Sequence, residues 1–244
     1  MADIQKTRGI VLRTFPFKES SLICSFFTEK FGKIKLLAKG ARRPKSKFCG
    51  TLEPFSHNEI VFYKKEFKEL YTLADAVVIE NFASIRSEIL KFNACEVLCE
   101  FFEKSMSPEE SDRNVYNLLL SFVREVQKDS ESHIRSLTLQ YLLKALKLIG
   151  VAPHLKDCVR CHKEVYMGDR IGFSFGAGGI ICEKDFDDTV VFLSRAVLKV
   201  ADQVYKERKP EINSNILNEL EKFIVDYISY HLSGVTLNSL KFLK

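Results

Sequence analysis

The hydrophobic positions of residues 1–80 fall into short runs that polar turns separate. In one run, lysines alternate with Ile34 and Leu36, which is typical of a strand with one buried face. Pro16 is expected to end the first strand, and Gly32 suits a tight hairpin turn. The predicted strands are 6–14, 22–28, 33–38, 59–63 and 70–78. Five short strands without a long helix predict a small Greek-key barrel such as an OB-fold, with another small barrel or a sandwich as the alternative.

From about residue 81 the apolar positions recur at helical spacing instead. In the first helical stretch they are Ile85, Ile89, Phe92, Cys95, Leu98, Cys99 and Phe102. Ser107-Pro108-Glu109-Glu110 has the form of a capping box with proline at the first helical position, so it predicts the start of a second helix. A third helix is predicted over 131–149, where Gly150 ends it. Two further helices are predicted over 194–205 and 213–232.

The segment 154–188 differs from its helical surroundings because it holds three of the seven cysteines and five of the eleven glycines. Cys158-Val-Arg-Cys161 is followed, after 20 residues, by Cys182-Glu-Lys-Asp185. This matches the spacing of a zinc ribbon at three of four positions, and aspartate is also a zinc ligand. We therefore predict a structural metal site formed by Cys158, Cys161, Cys182 and Asp185. The other candidates for the fourth ligand are His154, His162 and Asp187, and a ribbon without metal is the alternative.

The charge of the chain is concentrated near its beginning. The formal net charge is +5, but residues 1–80 carry 15 basic against 9 acidic side chains, so they account for the whole excess. Seven basic residues without an acidic one lie between 33 and 47: Lys33, Lys35, Lys39, Arg42, Arg43, Lys45 and Lys47. Such a cluster predicts a phosphate-binding surface, and a merely solvated loop is the alternative.

The remaining patterns narrow the class of protein. No apolar run reaches the roughly 18 residues that a membrane span needs, and residues 1–6 are polar, so we expect a cytoplasmic protein. Cys24, Cys49, Cys95 and Cys99 are predicted to be buried, reduced side chains rather than ligands. The motifs of P-loop nucleotide triphosphatases, zinc metalloproteases and serine hydrolases are all missing from the sequence. We therefore expect no enzyme.

Several motifs occur together and in order along the chain. They are Gly9-Ile-Val-Leu-Arg-Thr14, Lys18-Glu-Ser-Ser21, Leu37-Ala-Lys-Gly-Ala-Arg-Arg-Pro-Lys-Ser46, Leu52-Glu-Pro-Phe55, Leu148-Ile-Gly-Val-Ala-Pro153, Phe173-Ser-Phe-Gly176 and Tyr230-His-Leu232. With them, the sequence resembles the bacterial RecO family of recombination and repair mediators over nearly its whole length. It departs from that family at Asp185, where the zinc-bearing members place a fourth cysteine.

The resemblance implies an α+β multidomain protein. Its parts are an N-terminal OB-fold β-barrel over 1–80, an α-helical domain formed by 81–153 and 189–244, and an inserted zinc-ribbon-like element over 154–188 with Zn²⁺ as its structural metal. It further implies binding of single- and double-stranded DNA, annealing of complementary strands, and a location at the nucleoid. The implied partners are RecR, the single-stranded-DNA-binding protein and, indirectly, RecA. An RNA-binding OB module is the alternative function, because OB-folds bind both nucleic acids.

Overall fold

The computed structural model describes residues 3–165 and 168–243. The first element of the fold is a closed five-stranded barrel. Its strands are β1 (Asp3–Phe17), β2 (Ser21–Thr28), β3 (Gly32–Ala38), β4 (His57–Lys64) and β5 (Leu70–Glu80). Around the barrel the order is β1-β2-β3-β5-β4, and β4 pairs with β1 to close it. All pairs are antiparallel except β3 with β5. This arrangement confirms the five predicted strands and fits the predicted OB-fold.

The prediction that Pro16 ends the first strand is wrong. β1 continues through Pro16, which lies opposite Leu22 of β2. Beyond residue 10, β1 has no further register with β4, so only one side of the strand is paired at this point. A proline without an N–H is tolerated there because a strand edge needs no second set of hydrogen bonds.

Within the described residues, six α-helices and three short strands follow the barrel. The helices are α1 (Ala83–Ser87), α2 (Ile89–Ser105), α3 (Arg113–Lys128), α4 (Glu131–Leu148), α5 (Arg195–Tyr205) and α6 (Ser214–His231). The strands are β6 (Arg170–Ser174), β7 (Gly179–Ile180) and β8 (Val190–Ser194), and they form one sheet in the order β7-β6-β8. Side chains of Asp112, Ser194 and Asn213 cap α3, α5 and α6, which confirms the predicted starts of the last two helices.

Two predictions about the first helices are wrong. Ile89 belongs to the predicted apolar repeat but is 79% exposed, because the chain is extended at Glu88 and this break shifts the phase of the repeat between α1 and α2. Ser107–Glu110 does not begin a helix, and α3 starts only at Arg113. Glu109 has a positive φ of 60°, its N–H donates to the Lys33 carbonyl, and its carboxylate accepts from Lys64 and Tyr71. These contacts with the barrel outweigh the local helix signal.

Helix α2 covers the outer face of β1 and β2. Phe27 and Phe102 contact each other with their ring centroids 6.1 Å apart, and the Ser25 hydroxyl donates to the Glu103 carboxylate over 2.7 Å. Arg13 and Glu96 form an ion pair at 3.6 Å. In other OB-folds the face formed by strands 2 and 3 binds oligonucleotides. Here the part of that face around Ser25 and Phe27 is occupied by the protein's own helix.

The chain divides into two compact units. The first extends to Ile134 and also contains the segment from Asn238, whereas the second comprises Arg135–Leu237. These units cut across the three predicted segments, because α1 to α3 belong to the same unit as the barrel. The sheet of the second unit also extends beyond the predicted segment 154–188, since β8 pairs with β6 over its whole length. A separate zinc-ribbon-like insertion therefore stays a prediction.

The segment from Asn238 is attached to α2 within the first unit. Both the N–H and the hydroxyl of Ser239 donate to the Glu100 carboxylate, and the side chains of Leu240 and Leu243 are buried. Burial alone would raise the pKa of Glu100, but hydrogen bonds from Lys104 and Ser239 lower it to about 2. Glu100 is therefore a buried carboxylate whose charge depends on a partner from the far end of the sequence.

Candidate nucleic-acid interface and metal site

The basic loop, residues 39–47, is fixed to the barrel at several points. Phe48 and Leu52, which follow it, are buried in the barrel core. The Arg42 N–H donates to the Ser20 carbonyl over 2.9 Å, so the loop is also joined to the turn between β1 and β2. Within the loop, successive turns are closed by hydrogen bonds such as Ser46 N–H to the Arg43 carbonyl at 3.1 Å. The loop therefore presents its charges from an ordered backbone, which lowers the entropy cost of binding.

The seven predicted basic residues are placed in two groups. The first group consists of Lys35, Lys39, Arg42, Arg43 and Lys45, which are exposed and form no ion pair within the described residues. The Arg42 guanidinium lies 3.4 Å from the Glu19 carbonyl, and Lys47 of the second group is exposed as well. Lys33 and Lys47 direct their ammonium groups to the carbonyls of Glu103 and Ala74, respectively. Burial lowers the pKa of Lys33, and Lys47 lies 4.0 Å from the Asp75 carboxylate. Five of the seven predicted residues thus have no acidic partner among the described residues to compete with a polyanion.

The four predicted metal ligands lie together in the second unit. Their ligand atoms are all within 4.8 Å of one another, and the Sγ atoms of Cys161 and Cys182 are 3.7 Å apart. Two sulfurs that each lie about 2.3 Å from a tetrahedral zinc ion are separated by about 3.8 Å, so the observed spacing fits. Asp185 Oδ2 lies 3.4 Å from Cys158 Sγ and 2.9 Å from Cys182 Sγ. Three thiols and one carboxylate therefore lie close enough together to offer one metal ion four donors.

Local structure explains how these four side chains meet. Cys158 and Cys161 lie in a tight turn in which the His162 N–H donates to the Cys158 carbonyl over 2.8 Å. Cys182 and Asp185 lie on a single 3₁₀ turn, closed by the Asp185 N–H to the Cys182 carbonyl at 2.9 Å. The two turns are joined where the Val159 N–H donates to the Ile180 carbonyl. A spacing of two residues within each pair thus directs both side chains of that pair to one point.

The electrostatics of the cluster distinguish its thiols. Burial alone would raise the pKa of Cys158, but backbone hydrogen bonds from Cys161 and Cys182 lower it. The hydrogen bond to Asp185 raises the pKa of Cys182 to about 12, and the same bond lowers the pKa of Asp185. In this arrangement Asp185 Oδ2 accepts from the thiols of Cys158 and Cys182. A metal cation would replace these protons.

The other candidates for the fourth metal ligand contact side chains outside the cluster. His154 pairs with Asp157 at 2.8 Å, and His162 lies 3.8 Å from the same carboxylate. Asp187 accepts from Arg160, Ser174 and Thr189. Among the candidates for the fourth ligand, Asp185 is the one that the structure brings to the three thiols.

The other four cysteines differ in their burial. Cys24, Cys95 and Cys99 are buried, as predicted, and burial raises the pKa of Cys24 to about 12. The prediction that Cys49 is buried is wrong, because it lies exposed at the end of the basic loop. Its neighbour Phe48 occupies the core position instead, so Cys49 points away from the barrel.

The sequence pattern did not indicate the exposed aromatic residue in the turn 65–69 between β4 and β5. Phe67 at its centre is fully exposed, at 103% of its reference accessible area. The signal in the sequence is one phenylalanine among the five charged residues from Lys64 to Glu69. The strand pattern alone predicts only a charged turn there.

Family comparisons cover both parts of the chain. The family described as Recombination protein O N terminal matches residues 1–82, and the one described as Recombination protein O C terminal matches residues 86–241. The chain belongs to the RecO family. The family resemblance of the sequence is thereby confirmed, and the N-terminal match coincides with the barrel.

Curated relatives agree with this membership. A protein named DNA repair protein RecO from Alkaliphilus metalliredigens is 29% identical over 98% of both chains. Proteins of the same name from Caldicellulosiruptor saccharolyticus and Syntrophus aciditrophicus are 30% and 31% identical. They align with 91% and 72% of this chain, and with 91% and 68% of their own lengths. Among the helices of this RecO-family chain, within the described residues, none is both long and apolar enough to cross a bilayer.

Proposed function

We propose that this RecO-family protein is a DNA-binding recombination mediator in bacterial DNA repair. It binds single- and double-stranded DNA, anneals complementary strands and, with RecR, helps to load RecA on DNA coated by the single-stranded-DNA-binding protein. The supporting observation is the ordered basic loop, whose exposed Lys39, Arg42, Arg43 and Lys45 have no acidic partner among the described residues. The names of the relatives support the same role.

Electrostatics supplies the mechanism. Lysine and arginine side chains that contact phosphates release condensed counterions, and this release drives binding without regard to sequence. Two complementary strands repel each other, and a protein surface that neutralises both lowers this barrier to pairing. Annealing forms no covalent bond, so it needs no catalytic residue. The loop's fixed backbone keeps the cations in position for either strand.

Annealing of two complementary oligonucleotides coated with single-stranded-DNA-binding protein tests the proposal. We expect this protein to accelerate duplex formation, and RecR to increase the loading of RecA in the same mixture. A matched RNA pair serves as the control for an RNA-binding module. Failure to bind or anneal DNA, or a clear preference for RNA, would contradict the proposed function.

Replacing both arginines of the basic loop is expected to weaken DNA binding without unfolding the protein. If Lys35, Lys39, Arg42, Arg43 and Lys45 contact single-strand phosphates, the slope of log K against log salt is roughly −3.5. In R42A/R43A the slope should become shallower by about 1.4, since about 0.7 is lost per contact. Fluorescence anisotropy across a salt series measures both slopes.

A double variant of exposed lysines elsewhere, K128A/K199A, is the matched control for lost net charge. It should retain the wild-type slope, because these side chains lie on α3 and α5. A wild-type slope in R42A/R43A as well would count against the basic loop as the binding surface.

We also propose that Cys158, Cys161, Cys182 and Asp185 hold a structural zinc ion. The ion would act as a cross-link between the two turns that carry its ligands, and a site closed by four protein ligands is typical of structural zinc. The proposal is supported by the spacing of the four donor atoms.

A further inference from the structure

The turn between β4 and β5 carries a side chain that the fold does not explain. Phe67 is fully exposed, so its ring gains nothing from burial. Its φ is +59°, a left-handed conformation that is unfavourable for a bulky residue. Both features oppose stability, and no ring contact of Phe67 compensates for them within the described residues. An exposed aromatic ring at the tip of a turn is instead suited to stacking against a ligand.

The charges around Phe67 are mixed. Lys65 and Lys68 are exposed and form no ion pair within the described part of the chain, but Glu66 and Glu69 are exposed as well. Lys64 is already paired with Glu109 at 2.6 Å. The turn therefore contributes little net charge, and its distinctive feature is the aromatic face.

The sheet register places this turn next to Lys35, beside the beginning of β3, whereas the basic loop follows the end of the same strand. Lys35 of β3 lies beside Leu70, the first residue of β5, in the parallel pair. From Lys35, strand β3 extends to Lys39 at the start of the basic loop, a distance of about 13 Å at the rise of a strand. The basic loop, Lys35 and the turn thus lie in succession along β3 and its border with β5.

Other routes across this barrel are restricted. The neighbouring face, around Ser25 and Phe27, is covered by α2. The beginning of β3 is also occupied, since the Lys33 ammonium donates to the Glu103 carbonyl and the Lys33 carbonyl accepts from the Glu109 N–H. A strand held by the basic loop is therefore blocked towards β2, whereas Lys35 and Leu70 are exposed along the border of β3 and β5 that leads to Phe67.

We propose that Phe67 stacks on an unpaired base of a single-stranded nucleic acid whose phosphates are held by Lys35 and the basic loop. The inference rests on the proposed function and adds a base-contacting residue to it. Stacking requires an exposed base face, so it applies to single strands and not to the interior of a duplex. Phe67 would thereby let the protein distinguish unpaired from paired DNA.

The test compares F67A, F67W and wild-type protein with a single-stranded oligonucleotide and with a duplex. F67A should bind the single strand about 5- to 150-fold more weakly, the range found when stacking aromatics are replaced by alanine. Its salt slope should match that of wild type because no phosphate contact is lost. Its duplex affinity should stay unchanged. V77A, a truncation of another exposed apolar side chain on β5, should bind both DNAs like wild type.

The tryptophan variant gives a direct readout. The chain contains no tryptophan, so the indole fluorescence of F67W would report the turn alone. Single-stranded DNA should quench it, and F67W should keep wild-type affinity. The control F242W, at another exposed phenylalanine, should show no quenching.

The outcomes separate the inference from the proposed function. If wild-type protein binds DNA but F67A binds the single strand equally well, stacking by Phe67 is wrong and the proposed function stands. Equal losses for single strand and duplex would also overturn stacking. If wild-type protein binds neither DNA, the proposed function itself fails. F67A should unfold at the same temperature as wild type, which would show that the binding measurements were made on folded protein.

Discussion

Removal of metal is expected to unfold the region around the cysteine cluster selectively, with a loss on the order of 10 kcal/mol of local stabilisation. The two ligand-bearing turns are joined by few backbone hydrogen bonds, and the nearest strand, β7, has only two residues. Without the ion, three thiols and the Asp185 carboxylate offer only weak hydrogen bonds to one another. Hydrogen exchange measured after chelation should show faster exchange in 154–188 than in the barrel.

Variants of the cluster make this prediction specific. Purified wild-type protein should contain one zinc ion per chain, and C158A should lose it. C49S removes an exposed cysteine outside the cluster and should retain the metal. D185C should resist chelators better than wild type, because a fourth thiolate binds zinc more strongly than a carboxylate. Protein without stoichiometric metal, or exchange that chelation leaves unchanged, would contradict the site.

Replacing Gly32 with alanine is expected to destabilise the first unit by about 3 kcal/mol or more. A Cβ atom at this position would lie 2.1 Å from the Glu110 carbonyl oxygen, which is part of the backbone and cannot rotate away. The φ of Gly32 is also +58°, which is unfavourable for alanine. Urea unfolding of the purified variant measures the loss.

Gly50 provides the matched control. Its φ is +70°, but a Cβ atom there would meet no atom within 4 Å. G50A therefore tests the backbone conformation without the clash and should cost only about 1 kcal/mol. Equal costs for G32A and G50A would mean that the Glu110 segment moves aside easily, and the close approach would then contribute nothing.

The elements that could be predicted are those whose signal is local. The alternation of Ile34 and Leu36 with lysines marks β3, and Ser194 and Asn213 mark helix starts, since each pattern depends on neighbours in sequence. The two turns of the metal cluster also follow from local spacing. The spacing of the sequence favours Asp185 among the four candidates for the fourth ligand but does not decide between them. The decision depends on how the segment folds back.

The errors arise where distant residues decide the structure. Ser107–Glu110 keeps one half of its capping box, the Ser107 N–H to the Glu110 carboxylate at 3.3 Å, yet contacts with the barrel prevent a helix there. The density of basic residues places Lys33 among the predicted binding residues. In the structure its ammonium group instead donates to a carbonyl 70 residues away. No distant contact decides the position of Phe67. Its exposure follows from a turn conformation that the sequence does not specify.

The attachment of the segment from Asn238 to α2 has a consequence for synthesis on the ribosome. The barrel and its helices are translated first, but the Glu100 carboxylate receives its bonds from Ser239 only after Arg135–Leu237 has been made. At about 5–20 residues per second, this interval lasts several seconds or more. During that time the nascent first unit carries a partly buried, incompletely paired charge and an uncovered site for Leu240 and Leu243. The segment from Asn238 therefore completes the first unit only after the whole of the second unit has been translated.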